Sequence, residues 1–336
     1  MNSSRARRSP IAALVIGLFL SAGCAHQPAF QSMLPSDIDR DGKAIAIIGD
    51  TQQTPGFIRF TRRRENNLLD QRRLFDDLDA IVDELSSLVV VGDLVYSARS
   101  SRDWAHFDSL VAPLAASIPV LPAIGNHDYP CIFIEICFKS RISKGMLERF
   151  PWIVPGQPYA VESDDWLMLF LDSETGFEQQ GEWLQERLDN APGRFAAALV
   201  FFHRPAFTNS IVFGAVSDPD VQQHFVPRLE QANLPVVAFS GHVHGFEHLV
   251  VSNIHYVTTA GGGGARGPLA AERPFDRYRG PDCPQPKGGI VLRPFNYVLV
   301  REIDNRLTID IRGFCRGDDG VRSLDTIEIP LAAIND

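Results

Sequence analysis

Six residues able to bind a metal ion stand just beyond short apolar runs. Ala44–Ile48 ends in Gly49-Asp50, Leu88–Val91 in Gly92-Asp93, and Val120–Ile124 in Gly125-Asn126-His127-Asp128. Ala197–Phe202 leads into His203, and Val236–Phe239 into the block Gly241-His242-Val243-His244. Carboxylate and amide oxygens are hard donors and imidazole suits borderline ions. The set therefore holds ligands for two divalent or trivalent cations, with a carboxylate left to bridge them. Each residue alone has an ordinary use in a turn or a core. Five runs ending this way in one chain point to a metal site.

The elements that must position these residues follow from periodicity. The short apolar runs read as strands, joined later by Trp166–Leu171. Helical spacing of apolar residues predicts helices over Asn66–Leu85, Trp104–Ala116, Glu178–Leu188 and Val221–Gln231. Strands alternating with helices predict an α/β layer architecture, whose ligands collect at the carboxyl ends of strands. Tyr297–Ile303 and Leu307–Ile311 read as a hairpin around Asp304-Asn305.

Gly49-Asp50-x-Gln52, Gly92-Asp93, Gly125-Asn126-His127-Asp128, Val200-x-x-His203 and Gly241-His242-x-His244 resemble, in order and spacing, the calcineurin-like metallophosphoesterases. The resemblance covers about 44–260. It implies a two-sheet α/β sandwich flanked by helices, with a dinuclear metal centre at strand ends. It places Asp50 and His244 on the first metal, Asp93 as the bridge, and Asn126, His203 and His242 on the second. His127 would stand outside the metal shells as general acid, with Asp128 orienting its ring. A metal-bridging hydroxide would attack phosphorus in line, between cations about 3.5 Å apart.

Two positions depart from that pattern. Gln52 stands where most of the family has His, and as a neutral amide it would hydrogen-bond a coordinated water. Gly92-Asp93-x-x-Tyr96 is similar to the purple acid phosphatase branch, in which a tyrosinate joins the first metal and selects Fe(III). The implied cofactors are two metal ions: Fe(III) with Fe(II), Zn or Mn. Without Tyr96 as a ligand, the first site keeps Asp50, Asp93, His244 and Gln52. Arg204 could touch substrate phosphate through its guanidinium fork. The run Thr259-Ala260-Gly261-Gly262-Gly263-Gly264 reads as a turn that brings backbone close to the metal edge. A long insertion, about 130–158, reads as a substrate-facing lid.

The chain has 336 residues, 45% hydrophobic and 22% charged, with 26 Gly and 23 Pro, which excludes collagen-like, coiled-coil and disordered classes. Formal charge is -9, and an acidic body repels polyanions, so nucleic acid is not an expected partner. Arg5, Arg7 and Arg8 precede the apolar stretch 11–20, a signal-peptide pattern over 1–23. Leu20-Ser21-Ala22-Gly23-Cys24 resembles a bacterial lipobox, so a lipid on Cys24 is the expected membrane partner, followed by a flexible tether over 24–42. Residues 43–336 would then form one domain in the cell envelope, facing the periplasm; plain secretion is the alternative. Cys131, Cys137, Cys283 and Cys315 allow three disulfide pairings. The expected activity is hydrolysis of a small phosphoester, of acid-phosphatase type. The alternatives are a phosphodiesterase on nucleotides or lipid head groups, and a non-enzymatic metal-binding lipoprotein.

Overall fold

The computed structural model describes residues 27–334 apart from 58–59, 61–63, 134–135, 272, 274 and 285–290. In chain order the strands are β1 (Ala44–Ile48), β2 (Leu85–Val91), β3 (Val120–Ala123), β4 (Cys131–Phe133), β5 (Ile136–Cys137), β6 (Tyr159–Ser163) and β7 (Trp166–Phe170). Then come β8 (Ala197–Phe201), β9 (Val236–Ser240), β10 (Phe246–Val251), β11 (Ile254–Thr259), β12 (Phe295–Ile303), β13 (Arg306–Phe314) and β14 (Arg322–Pro330). Two mixed six-stranded sheets result, in the orders β14-β13-β12-β1-β2-β3 and β10-β11-β9-β8-β7-β6.

Within each sheet the strands that lead to the candidate ligand residues run parallel: β1 beside β2 beside β3, and β8 beside β9. All five are buried along their whole length, so both faces must be apolar. Alternation divides the work. Ile45, Ile47, Val89 and Val91 face Phe201, Val237 and Phe239 between the sheets. Ala46, Ile48, Leu88 and Val90 instead meet Leu74, Phe107 and Leu110 of the helices Leu68–Ala80 and Ser101–Ala115. Leu169, Ala198 and Val200 meet Leu184 and Leu188 of the helix Phe177–Asp189 on the far side. The result is a two-sheet sandwich with helices on both outer faces.

Some sequence expectations need correction. The helix predicted over Val221–Gln231 is two short ones, Pro219–His224 and Val226–Glu230. Pro227 lacks an N–H and its ring crowds the carbonyl four residues back, which breaks a continuous helix. Residues 27–42 are no tether. The Ser32 N–H donates to Arg149 O at 2.8 Å, and Ile38 N–H to Glu162 O at 2.8 Å. The Arg40 guanidinium lies 3.5 Å over the Trp166 ring and bonds Asp165 at 2.5 Å. Part of the insertion packs on the core, since Met146, Phe150 and Ile153 are buried against the first helical layer, while its Lys139 lines the cavity described below.

Cys283 and Cys315 form a disulfide, which ties the stretch before β12 to the end of β13. Cys131 is also disulfide-bonded, and the β4–β5 ladder sets it opposite Cys137. The expectation of a lipid on Cys24 as membrane partner is corrected accordingly. The cysteine chemistry on view is internal, no helix among the described residues is long and apolar enough to cross a membrane, and Cys24 lies outside the described residues.

Candidate metal centre

The candidate ligand residues leave their strands through sharp turns. Asp50, Asp93, His242 and His244 adopt the left-handed region, with φ of 56°, 51°, 74° and 51°. Each such residue costs about 1–2 kcal/mol when it is not glycine. Strain of that kind persists where surrounding structure enforces it, which is typical of functional sites. The glycines before them allow the turns to close up. Gly92 has φ +83°, and a Cβ there would fall 2.4 Å from the His203 ring. The glycine run after β11 presses on the same edge, with Gly262 N–H donating to Gly49 O and Gly264 N–H to Asp50 O, both at 3.0 Å.

Two clusters of potential ligand atoms result, Asp50-Asp93-His244 and Asp93-His203-His242, each with its atoms within 4.8 Å of one another. Asp93 belongs to both. His244 Nε2 lies 3.2 Å from Asp50 Oδ1, His203 Nε2 3.3 Å from Asp93 Oδ1, and His242 Nδ1 3.3 Å from His203 Nε2. Each imidazole uses its other nitrogen to donate to a backbone carbonyl: His203 to Val91, His242 to Gly214 and His244 to Ala265, at 2.7–2.9 Å. Those bonds fix the tautomers so that a lone pair faces the cluster, the usual outer support of metal-bound histidine.

Asn126 Oδ1 and Gln52 Oε1, both beside the clusters, are among the buried oxygens that have no hydrogen-bond partner among the described residues. A buried polar atom left unpaired is costly unless a ligand satisfies it. Gln52 Nε2 lies 2.9 Å from Asp93 Oδ2 and 3.0 Å from His244 Nε2, so its amide sits on the first cluster. Turning that amide over would present Oε1 there. The donor set fits a pair of cations.

Electrostatics agree. Burial raises the Asp50 carboxyl above its ordinary range. Burial acts the same way on Asp93, but the His203 and His127 imidazoles outweigh it and hold that carboxyl well below its range. Burial pushes His203 down, yet Asp93 beside it raises it to about 10. Burial and the charge of His203 push His242 well down. Paired, buried carboxylates and imidazoles of this sort are what a cation stabilises.

His127 lines the same cavity. Its backbone N–H donates to Asp93 Oδ1 at 2.9 Å, and its Nδ1 donates to the Tyr96 carbonyl at 2.7 Å, which leaves Nε2 to meet a ligand. Asp128 does not orient that ring, contrary to expectation. Its carboxylate accepts the N–H groups of Leu94 and Gly125, each at 2.9 Å, because the turn Asn126–Asp128 folds it back under the loop. Tyr96 lays its ring against His127, centroids 4.9 Å apart. Arg204 lines the cavity with Nη1 3.1 Å from His242 Nε2.

Sequence reasoning missed Glu174. It is buried, bonds Arg204 through both carboxylate oxygens and accepts Lys139 Nζ at 3.1 Å, so two cations of the cavity wall share it. Its signal was present: Asp172-Ser173-Glu174 follows an apolar run, as the other site residues do. Ser173 adds to the support, its Oγ accepting the N–H groups of His203 and Arg204 at 3.1 and 2.8 Å.

Comparison with known proteins gives this geometry a family. The sequence profile described as calcineurin-like phosphoesterase matches residues 43–246. A protein of Arabidopsis thaliana named probable inactive purple acid phosphatase 9 is 24% identical over 240 residues, which is 62% of this chain and 37% of that protein. A purple acid phosphatase from yellow lupin (Lupinus luteus) seeds superposes with a TM-score of 0.64 at 15% identity, over 89% of this chain and 55% of that one. A dimetal phosphatase from Danio rerio superposes with a TM-score of 0.55 at 14% identity, over 87% and 99%. The chain thus spans little more than a third of the Arabidopsis relative and about half of the lupin enzyme. By profile and by fold, it belongs to the calcineurin-like phosphoesterase family and is related to its purple acid phosphatase branch.

Proposed function

We propose that this chain is an exported metal-dependent phosphoesterase acting on phosphomonoesters. The observation that carries the reading is the sharing of Asp93 by two ligand clusters, beside the buried unpaired Asn126 Oδ1. Asp50, Asp93, His244 and Gln52 would hold one ion, and Asp93, Asn126, His203 and His242 the other. Such a pair supplies positive charge for a phosphoester and an activated water.

The chain's own residues do the rest. Arg64, Lys139 and Arg204 line the cavity and suit the double negative charge of a monoester. Glu174 holds two of them in place. His127, oriented by the Tyr96 carbonyl, directs Nε2 to hand a proton to the departing alkoxide. Gln52 supplies a neutral amide oxygen, so manganese(II) or zinc(II) fits the first site better than the Fe(III) a tyrosinate would select. Export is supported by the internal disulfide Cys283–Cys315, since such bonds persist in oxidising compartments. Residues 43–336 act as one domain, with 27–42 packed on it.

The Arabidopsis relative is named inactive, which favours the opposing reading of a protein without turnover. Hydrolysis of an aryl phosphomonoester and a bis-aryl phosphodiester by the metal-loaded protein, with Asp93→Ala as blank, separates them. Turnover of the monoester above the blank is expected. Preference for the diester would move the assignment to a phosphodiesterase, and silence on both with metal bound would favour the binding protein.

A further inference from the structure

The cavity at the strand ends measures about 530 Å³ and has linings of two unlike kinds. One is cationic: Arg64, Lys139 and Arg204. The other is the segment between β8 and the helix Pro219–His224, which reaches the cavity through Val212, Phe213, Gly214 and Ala215. From Ile211 to Val216, no side chain can donate or accept a hydrogen bond. Ile211 is 58% exposed, Phe213 101% and Val216 52%. Single exposed apolar residues are ordinary on a protein surface. Three among six successive residues, at the rim of a polar site, mark a surface that something covers.

That segment is held in place. The Ile211 N–H donates to Pro268 O at 3.2 Å, the Val212 N–H to Ser210 Oγ at 3.2 Å, and the Ala215 N–H to Val212 O at 3.0 Å. Its tip is joined to the metal centre itself, because Gly214 O accepts His242 Nε2 at 2.9 Å. At its base, buried Glu247 accepts the Asn209 N–H and side-chain amide at 2.9 and 2.8 Å, and also the Thr208 hydroxyl. The backbone at Phe213 is therefore held near His242, and the segment that carries it brings no charged side chain of its own to the cavity.

We propose that Ile211–Val216 is the subsite for the leaving group, and that it selects phosphoesters of apolar alcohols, with Phe213 as the specificity-determining residue. This rests on the phosphoesterase reading and narrows its substrate class. A phosphate held at the ligand clusters leaves the rest of the ester inside the same cavity. An aryl or acyl-chain alcohol there removes the Phe213 and Val212 surfaces from water. A polyhydroxy alcohol such as glycerol gains nothing from that wall.

Binding of phosphonates, which carry no scissile ester, tests the subsite without relying on turnover. Phenylphosphonate, hexylphosphonate and methylphosphonate are titrated calorimetrically into manganese-loaded protein, with inorganic phosphate as reference. The phenyl or hexyl compound is expected to bind roughly tenfold more tightly than the methyl one, as burial of several apolar carbons implies. In Phe213→Ser the preference is expected to shrink to within about threefold. Phe213 is fully exposed, so that variant should melt at the wild-type temperature. Whether phenyl or hexyl leads tells an aryl occupant from an acyl chain. Equal affinities in the wild type, or a preference untouched by Phe213→Ser, would overturn the subsite and leave the hydrolase reading standing. Metal-loaded protein that binds neither phosphate nor any phosphonate would overturn both.

Discussion

The Asp50 carboxylate accepts the backbone N–H of His242 through both of its oxygens, at 3.1 and 2.9 Å. Asp50 follows β1 of one sheet and His242 follows β9 of the other, so the pair closes the seam between the sheets at the metal edge. Asp50→Ala would remove a metal ligand and strand a buried N–H. A loss of about 1–3 kcal/mol in the metal-free protein is expected from the orphaned donor alone. Asp50→Asn keeps an acceptor and should retain most of that stability while losing the first ion. Denaturant unfolding of both metal-free variants checks this, and equal destabilisation would contradict it.

His127 bonds Asp93 through its backbone N–H, while its ring lines the cavity. His127→Ala should therefore leave both ions bound and slow turnover by roughly 10²–10⁴-fold, the usual range for a lost general acid. Metal content and kcat measured on one preparation decide it. A variant that loses metal would make His127 a structural support instead.

Gln52 on the first cluster carries a spectroscopic consequence. A tyrosinate bound to Fe(III) absorbs visible light through charge transfer, and an amide oxygen does not. Iron-loaded protein should be free of that band, and Gln52→Ala should weaken the first ion by about 10–100-fold. A visible band abolished by Tyr96→Phe would assign the site to Tyr96.

Acid should loosen the sheet edge at β10 and β11. His248 and His255 stack across it, rings 5.2 Å apart, with His248 Nε2 3.0 Å from His255 Nδ1. Burial, and then the neighbouring His255 and Arg277, bring His248 down to about 4 from an ordinary 6.5, with Asp325 opposing. The fold prefers the neutral ring, so the unfolded chain binds more protons between those two values. Stability from this group is complete above about pH 6.5 and is lost as pH falls through about 4. His248→Phe should flatten about 1–3 kcal/mol of that dependence, read from denaturant midpoints across pH.

The strand-end residues were legible because apolar runs and the polar residues that end them are local in sequence. Asp50, Asp93, His203, His242 and His244 needed only that pattern, and their convergence followed from parallel strands sharing one end. The role of Asp128 was not legible. Its place after His127 in the sequence says nothing of a tight turn that aims the carboxylate at Gly125 and Leu94. Residues 27–42 were read as part of a tether for the opposite reason, since Asp164, Asp165 and Trp166, the partners of Arg40, lie more than a hundred residues away. β14 escaped notice as well. It is an edge strand with mostly exposed side chains, so it carries little apolar periodicity. Glu174 was legible and overlooked, at the end of a run that had been read as a strand.

The sharing of Asp93 between the two clusters is the central claim, and metal content tests it most directly. Protein loaded with manganese or zinc, freed of excess by dialysis, is analysed by plasma mass spectrometry beside Asp93→Ala. Two ions per chain in the wild type, and none retained in Asp93→Ala, is the expected result. A single ion in the wild type, or two ions still held after the substitution, would contradict a centre built around Asp93.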